Sequence, residues 1–322
     1  MNSHSNPGLR SHGAVTALVA VVVLVAAGLA TAAERTVSEN GRMPADGRVS
    51  ISNIAGMVKV IGWDKAEISV TGTLGDDVER LEFSAGERAE VEVIYKNQHK
   101  GLRNLMGDRK GEHHDSVTIN DGADLTIQVP RGCRLEVEVV AAGVDVSGLD
   151  AVIEVTSVSG DVDVRGACRR LEIDSVSGSV EVEGAGAESE VSTVSGSLRI
   201  RCDDSDLQVD TVTGDASVDC ASLRSLQANT VNGTISMSGR PASGATIEAE
   251  SVNGSLTLAV PGDVSAAFEV TTFNGDIENA FGQKPERTDQ YVPGQELTFT
   301  NGSGAADIKL NTLNGKIRIL RK

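Results

Sequence analysis

From about residue 131 onward the chain repeats one short pattern of apolar and polar positions. TSVSGDVDV, DSVSGSVEV, STVSGSLRI, DTVTGDASV, NTVNGTISM, ESVNGSLTL, TTFNGDIEN and NTLNGKIRI follow one another, each built around a glycine. These anchors are Gly160, Gly178, Gly196, Gly214, Gly233, Gly254, Gly275 and Gly315, at spacings of 18, 18, 18, 19, 21, 21 and 40 residues. An earlier segment, VVAAGVDV, fits with Ala142 as anchor, which makes nine units. Counted from the anchor, apolar side chains fall at −7, −5, −2, +2 and +4; for Gly178 they are Leu171, Ile173, Val176, Val180 and Val182. The pairs at −7/−5 and +2/+4 alternate with a period of two, the mark of a strand with one buried face. We read −2 as a fifth inward position and place a bend there. No segment after residue 40 sustains a helical period.

Polar positions repeat as well. Position −3 is Ser or Thr in all eight glycine-anchored units. Position −1 passes from Ser159, Ser177, Ser195 and Thr213 to Asn232, Asn253, Asn274 and Asn314, each followed by its anchor glycine. Ser-Gly and Asn-Gly suit tight turns at positive φ. Coils stacked about 4.8 Å apart would set like side chains in ladders. The pattern predicts an all-β fold, a β-solenoid of stacked coils of about 18–21 residues with about two strands each. The competing reading is a meandering antiparallel sandwich. Identical register in consecutive units favours the solenoid, because like positions must then stack.

Three regions are expected. Residues 1–33 read as a signal peptide: Arg10 precedes an apolar run from about Ala14 to Ala30, and Ala30-Thr31-Ala32 is an A-x-A site for cleavage between Ala32 and Ala33. A transmembrane anchor is the alternative, but the run is at the lower limit for spanning. Residues 34–130 read as an N-terminal β-sheet region that caps the solenoid, with VSISNIAGMVKVIGW fitting the repeat template around Gly56 and a polar loop at 96–116. Residues 131–322 carry the repeats, with an insertion near 280–296. The expected product is exported, periplasmic or extracellular or at the cell surface, with no membrane span after cleavage.

Composition narrows the function. Hydrophobic residues make up 39% and aromatics only 2%, so the core must be Val, Ile, Leu and Ala. The net charge of −17 opposes nucleic-acid binding, which needs a basic face, and unaided docking to anionic lipid. Few aromatics disfavour stacking on sugars or bases. No G-x-S-x-G, H-E-x-x-H or P-loop occurs, so no catalytic residue, metal or cofactor is expected. His99, His113 and His114 are read as part of a solvated loop, Asp203, Asp204 and Asp206 as an acidic turn, and Asp161, Asp163, Glu181 and Glu183 as a solvated face. Cys202 and Cys220 both sit at +6, one coil apart, a spacing that permits a disulfide. Cys133 and Cys168 are two coils apart, too far to bond.

The V-S-G-D-V-D-V and V-N-G-x-I units, SNIAGMVKVIGWDKAEISVTGTL and ADLTIQVPRGCRLEV together resemble the DUF4097 family over about residues 45–320. Its members are β-strand-repeat proteins labelled adhesins. The resemblance implies a non-catalytic, envelope-associated β-solenoid, an adhesin or interaction scaffold with an unidentified protein or polysaccharide partner. A polysaccharide-binding or polysaccharide-cleaving β-helix protein is the alternative function, and a self-polymerising structural solenoid is a third.

Overall fold

The period-two segments form strands in the computed structural model, which describes residues 35–96, 119, 121–289 and 292–322. Every regular element among them is a β-strand. The expected signal peptide, with Ala32 and Ala33, and His99, His113 and His114 lie outside the described residues.

The first seven strands are β1 (Arg35–Arg42), β2 (Arg48–Trp63), β3 (Glu67–Leu74), β4 (Val78–Ser84), β5 (Arg88–Tyr95), β6 (Ala123–Pro130) and β7 (Arg134–Ser147). The repeats then give two arms per coil, broken at the anchor glycine: β8 (Val152–Ser159) and β9 (Val162–Arg165), β10 (Arg170–Ser177) and β11 (Val180–Glu183), and β12 (Glu188–Ser195). Next, β13 (Leu198–Thr213), β14 (Ala216–Asn232) and β15 (Ile235–Asn253) each run from the second arm of one coil into the first arm of the next. The chain finishes with β16 (Leu256–Val260), β17 (Ala266–Asn274), β18 (Ile277–Asn279), β19 (Glu286–Asp289), β20 (Val292–Asn301), β21 (Asp307–Asn314) and β22 (Ile317–Arg321).

Successive units pair parallel and in register. Ile173 lies between Val155 and Val191, and Val180 between Val162 and Leu198. The antiparallel sandwich does not form; antiparallel pairing is confined to the two ends. The rows at −7, −5, +2 and +4 are buried, as in Leu171, Ile173, Val180 and Val182. Small aliphatic side chains fill the interior of the middle coils.

Spatial order departs from chain order at both ends. β2 pairs with β7 on one side, and on the other with β5 along its first arm and β6 along its second. The first coil in sequence is therefore held inside the stack, one layer in from β5 and β6. It also carries the parallel stack across residue 130, from the N-terminal region into the repeats. At the other end, β21 lies between β15 and β17, and β22 between β16 and β18. The last coil in sequence thus sits between the Gly254 and Gly275 coils, which accounts for the 40-residue spacing.

Antiparallel strands cover both ends. β4 pairs with β5, β3 with β6 and β1 with β3; at the far end β20 pairs with β17 and β19 with β20. The segment near 280–296 is part of this second cover. Rare aromatics gather at the ends. Phe268, Phe281 and Phe299 form a cluster with ring centroids 4.4–5.9 Å apart. At the N-terminal end Tyr95 is buried, and its hydroxyl donates to Asn53 Oδ1 at 2.6 Å. Asn53 Nδ2 donates in turn to the Ala123 carbonyl at 3.1 Å, tying β5, β2 and β6 together.

The anchor glycines form one column, but their requirement is only partly the expected positive φ. Gly178 lies at φ 121° and Gly160 at 144°, whereas Gly254 and Gly275 lie outside the left-handed region. What they share is close approach. A Cβ on Gly254 would come closer than 3.0 Å to the Gly233 carbonyl oxygen, and one on Gly275 would meet that of Gly315 in the same way. The same holds at Gly160, Gly178, Gly196, Gly214, Gly233 and Gly315, each against the anchor carbonyl of the neighbouring coil. The column is glycine because backbone packs on backbone there.

Candidate functional site

The structure corrects one row. Position −2 points outward: Val140, Val158, Val176, Val194, Val212, Val231, Val252, Leu313 and Phe273 are 40–54% exposed. The alternation runs unbroken from −7 through −5 to −3, so it is the small hydroxyl at −3 that faces in. Ser157, Ser175, Thr193, Thr211, Thr230, Ser251, Thr272 and Thr312 are all at most 6% exposed. Two of them reach the anchor carbonyl of a neighbouring coil: Thr312 Oγ1 donates to Gly254 and Thr272 Oγ1 to Gly315, at 3.3 and 3.2 Å. The hydroxyls of Ser157, Thr193, Thr211, Thr230 and Ser251 have no hydrogen-bond partner among the described residues.

The outward row makes a continuous apolar stripe. Nine side chains at strand spacing extend about 38 Å along the stack. The stripe lines an open groove of about 870 Å³ that runs from Val158 to Phe273, with position −4 along its side. Positions −4 and −6 share the stripe's face, because all three have the same parity. Position −6 carries Glu136, Glu154, Glu172, Glu190, Glu248 and Glu269, and −4 carries Glu138, Asp174, Asp210 and Glu250. The same two rows hold one cation, Lys309. On the other side, −1 is a neutral polar row. There Asn253 Nδ2 donates to Asn232 Oδ1 at 3.1 Å, Asn314 to Asn253 at 2.9 Å and Asn274 to Asn314 at 3.4 Å. The asparagine ladder therefore runs 232, 253, 314, 274 rather than in chain order.

The second-arm face is different. Its charges pair within and across coils: Arg165 bonds Asp163 of its own strand and Asp145 of the neighbouring coil, and Arg201 bonds Glu181 and Glu183 of the neighbouring coil at 3.1 and 2.8 Å. Burial raises the Asp163 carboxyl above its usual range, Arg165 works against that, and the neighbouring Asp145 carboxylate adds to it. Asp161 accepts from the Ser179 backbone N–H at 2.8 Å. Arg224 lies near Asp204 and Asp206, at 3.5 and 3.3 Å. Among the described residues no group of three or more His, Cys, Asp or Glu is placed to hold a metal ion.

Cys202 and Cys220 lie opposite each other in the β13–β14 pair and are joined in a disulfide, with Cα atoms 4.5 Å apart. Cys133 and Cys168 are buried free thiols that burial pushes up to about 12 and about 11, so they stay protonated and unreactive at neutral pH.

The valine stripe was legible by parity. Position −2 differs by an odd number from −7 and −5, and by an even number from the polar rows at −4 and −6. Treating valine as inward by its chemistry overrode that count. Exposed single apolar residues are ordinary, whereas an unbroken row of nine is a binding-surface signal.

An all-β repeat protein with parallel in-register units, covered ends and one open apolar groove is the class that these features define. The chain belongs to the Toastrack DUF4097 family, whose model matches residues 31–320. Similar solved structures include one named "putative lipid binding protein" from Parabacteroides distasonis, with a TM-score of 0.50 and 12% identity over 89% of this chain and 97% of that one. Another is named "putative adhesin", from Bacteroides fragilis, with a TM-score of 0.42 and 10% identity over 89% of this chain and 98% of that one. No curated protein matches the chain in sequence. Among the described residues no helix is long and apolar enough to cross a membrane.

Proposed function

We propose that this is an exported, non-catalytic interaction protein of the bacterial cell envelope, a β-solenoid whose valine groove takes up an elongated partner. The observation that carries the reading is the row from Val140 to Phe273, large apolar side chains left in solvent on successive coils. A monomer gains nothing in stability from such a row, while a partner laid along it would remove a long apolar strip from water. The names of similar proteins, adhesin and lipid binding among them, fit surface binding, and the A-x-A motif at Ala30–Ala32 fits export. A polysaccharide partner is a weaker fit, because the groove's one aromatic side chain is Phe273.

The test replaces Val176, Val194 and Val212 together with Asp in a strain carrying only that copy of the gene. Surface attachment and sensitivity to envelope stress should fall to the level of the gene deletion, with the protein still exported and folded. Deletion and triple variant both behaving as wild type would overturn the reading.

A further inference from the structure

We propose that the groove's partner is a cationic amphipathic helix lying along the stack axis. The inference rests on reading the valine stripe as a binding surface and adds what binds there. Three observations select the occupant.

The first is pitch. The stripe offers one apolar side chain per coil, about every 4.8 Å. A helix lying along it presents apolar side chains at i, i+3 and i+4, one turn every 5.4 Å, close to that spacing. An extended strand in the same direction presents them about every 6.7 Å and falls out of step within two coils. At 1.5 Å per residue, a stripe of about 38 Å accommodates about 25 residues of helix.

The second is charge. A helix with its side chains is about 10 Å across, so one centred on the stripe reaches about 5 Å to either side, up to the −4 row about 6.6 Å away along the strand, with the −6 row about 6.6 Å beyond that. Those two rows carry ten carboxylates and one lysine. Among the described residues, Glu136, Glu190, Glu248 and Glu269 on −6 have no ion-pair partner, while Glu154 and Glu172 pair with Arg134 and Arg170. A second copy of this chain would bring to those rows no cation but its own Lys309. A fatty acid or an anionic phospholipid would bring its own negative head to the same place.

The third is asymmetry. The opposite flank is the neutral row of Ser159, Ser177, Ser195, Thr213 and the asparagines. The complementary helix has one apolar stripe, Lys or Arg on one side of it and uncharged polar residues on the other. This is the helix-in-groove mode of recognition, with charge fixing the direction in which the helix lies.

The experiment titrates the purified exported protein with a 25-residue synthetic helix carrying Leu on its apolar stripe, Lys on one flank and Gln on the other. The comparison peptide has Glu in place of Lys. Palmitate and phosphatidylglycerol vesicles are run in parallel. The Lys peptide should bind at least tenfold more tightly than the Glu peptide at physiological salt, and the preference should shrink as salt rises. D174N/E250Q, on exposed positions of the −4 row that leave the fold intact, should weaken the Lys peptide severalfold and leave the Glu peptide unchanged. V194D/V212D should weaken it at least tenfold. Equal binding of the two peptides, no binding of either, or palmitate or vesicles binding in their place would overturn the proposal. Should the valine variants abolish attachment in cells while the Lys peptide fails to bind, this assignment falls and the groove reading stands. Should they leave attachment unchanged, the groove reading itself falls.

Discussion

The middle of the stack and its two ends solve the same problem differently. From the Gly160 coil up to the Gly254 coil, spatial order is chain order, each of these coils before the last pairs only with its neighbours in sequence, and small aliphatic residues fill the interior. At the ends the first and last coils in sequence are inserted one layer inward, antiparallel strands cover the open edges, and Tyr95 and the Phe268 cluster supply bulk. A repeat coil never meets an open edge, so one rule suffices for it. An end coil must satisfy strand edges on one side with something other than another repeat. Inserting the terminal coils also makes the stack hard to fray, because each is paired on both faces.

The comparison breaks most visibly if 18 residues are removed from each region. Deleting 305–322 takes out the inserted coil, leaves β15, β16 and β17 each unpaired along one edge and takes from β18 its partner strand. The loss should exceed about 5 kcal/mol and abolish cooperative unfolding of the C-terminal half. Deleting 179–196 removes one period from the middle and lets the remaining coils restack in register, at a cost of no more than about 3 kcal/mol. Urea melts of the two deletions compare them directly; equal losses would mean that the last coil is no more embedded than any other.

Within the middle, Gly254→Val drives a branched side chain into the Gly233 carbonyl and should cost about 3 kcal/mol. Glu183→Gln, at an exposed pair with Arg201, should change stability by no more than about 0.5 kcal/mol. The disulfide is next in size: Cys202→Ser should cost about 2–3 kcal/mol if loop closure dominates. Thiol titration checks the bond. The native exported protein should show no reactive thiol, two after denaturation and four after denaturation with reduction.

The smallest effect separates two hydroxyls in one row. Thr312→Val loses the bond to Gly254 and should cost about 1 kcal/mol, whereas Thr211→Val removes an unpartnered buried hydroxyl and should be neutral or stabilising. Equal costs in thermal melts would show that the two hydroxyls share one environment.

The middle was legible because its period is strict: the anchors, the −7, −5, +2 and +4 rows and the facing of Cys202 and Cys220 follow from counting. Two things were not. Position −2 was read inward on side-chain chemistry although its parity placed it outside, and the groove was missed with it. The insertion of β21 and β22 left only the 40-residue gap as a trace, because a repeat unit does not encode which neighbour it will pair with. The Asn-Gly pattern places Gly254 in a turn at positive φ, but its need is room for a carbonyl rather than a left-handed backbone.

The order of coils at the C-terminal end is the point on which the account of the fold rests, and paired cysteines read it directly. Asn253, Asn314 and Asn274 are successive rungs of one exposed ladder, in the order 253, 314, 274. Adjacent rungs lie about one strand spacing apart, within reach of a disulfide, and rungs two apart lie at about twice that, beyond it. Oxidation followed by peptide mapping should find the N253C/N314C and N314C/N274C bridges and leave N253C/N274C as free thiols. A bridge between 253 and 274, with none to 314, would contradict the inserted coil.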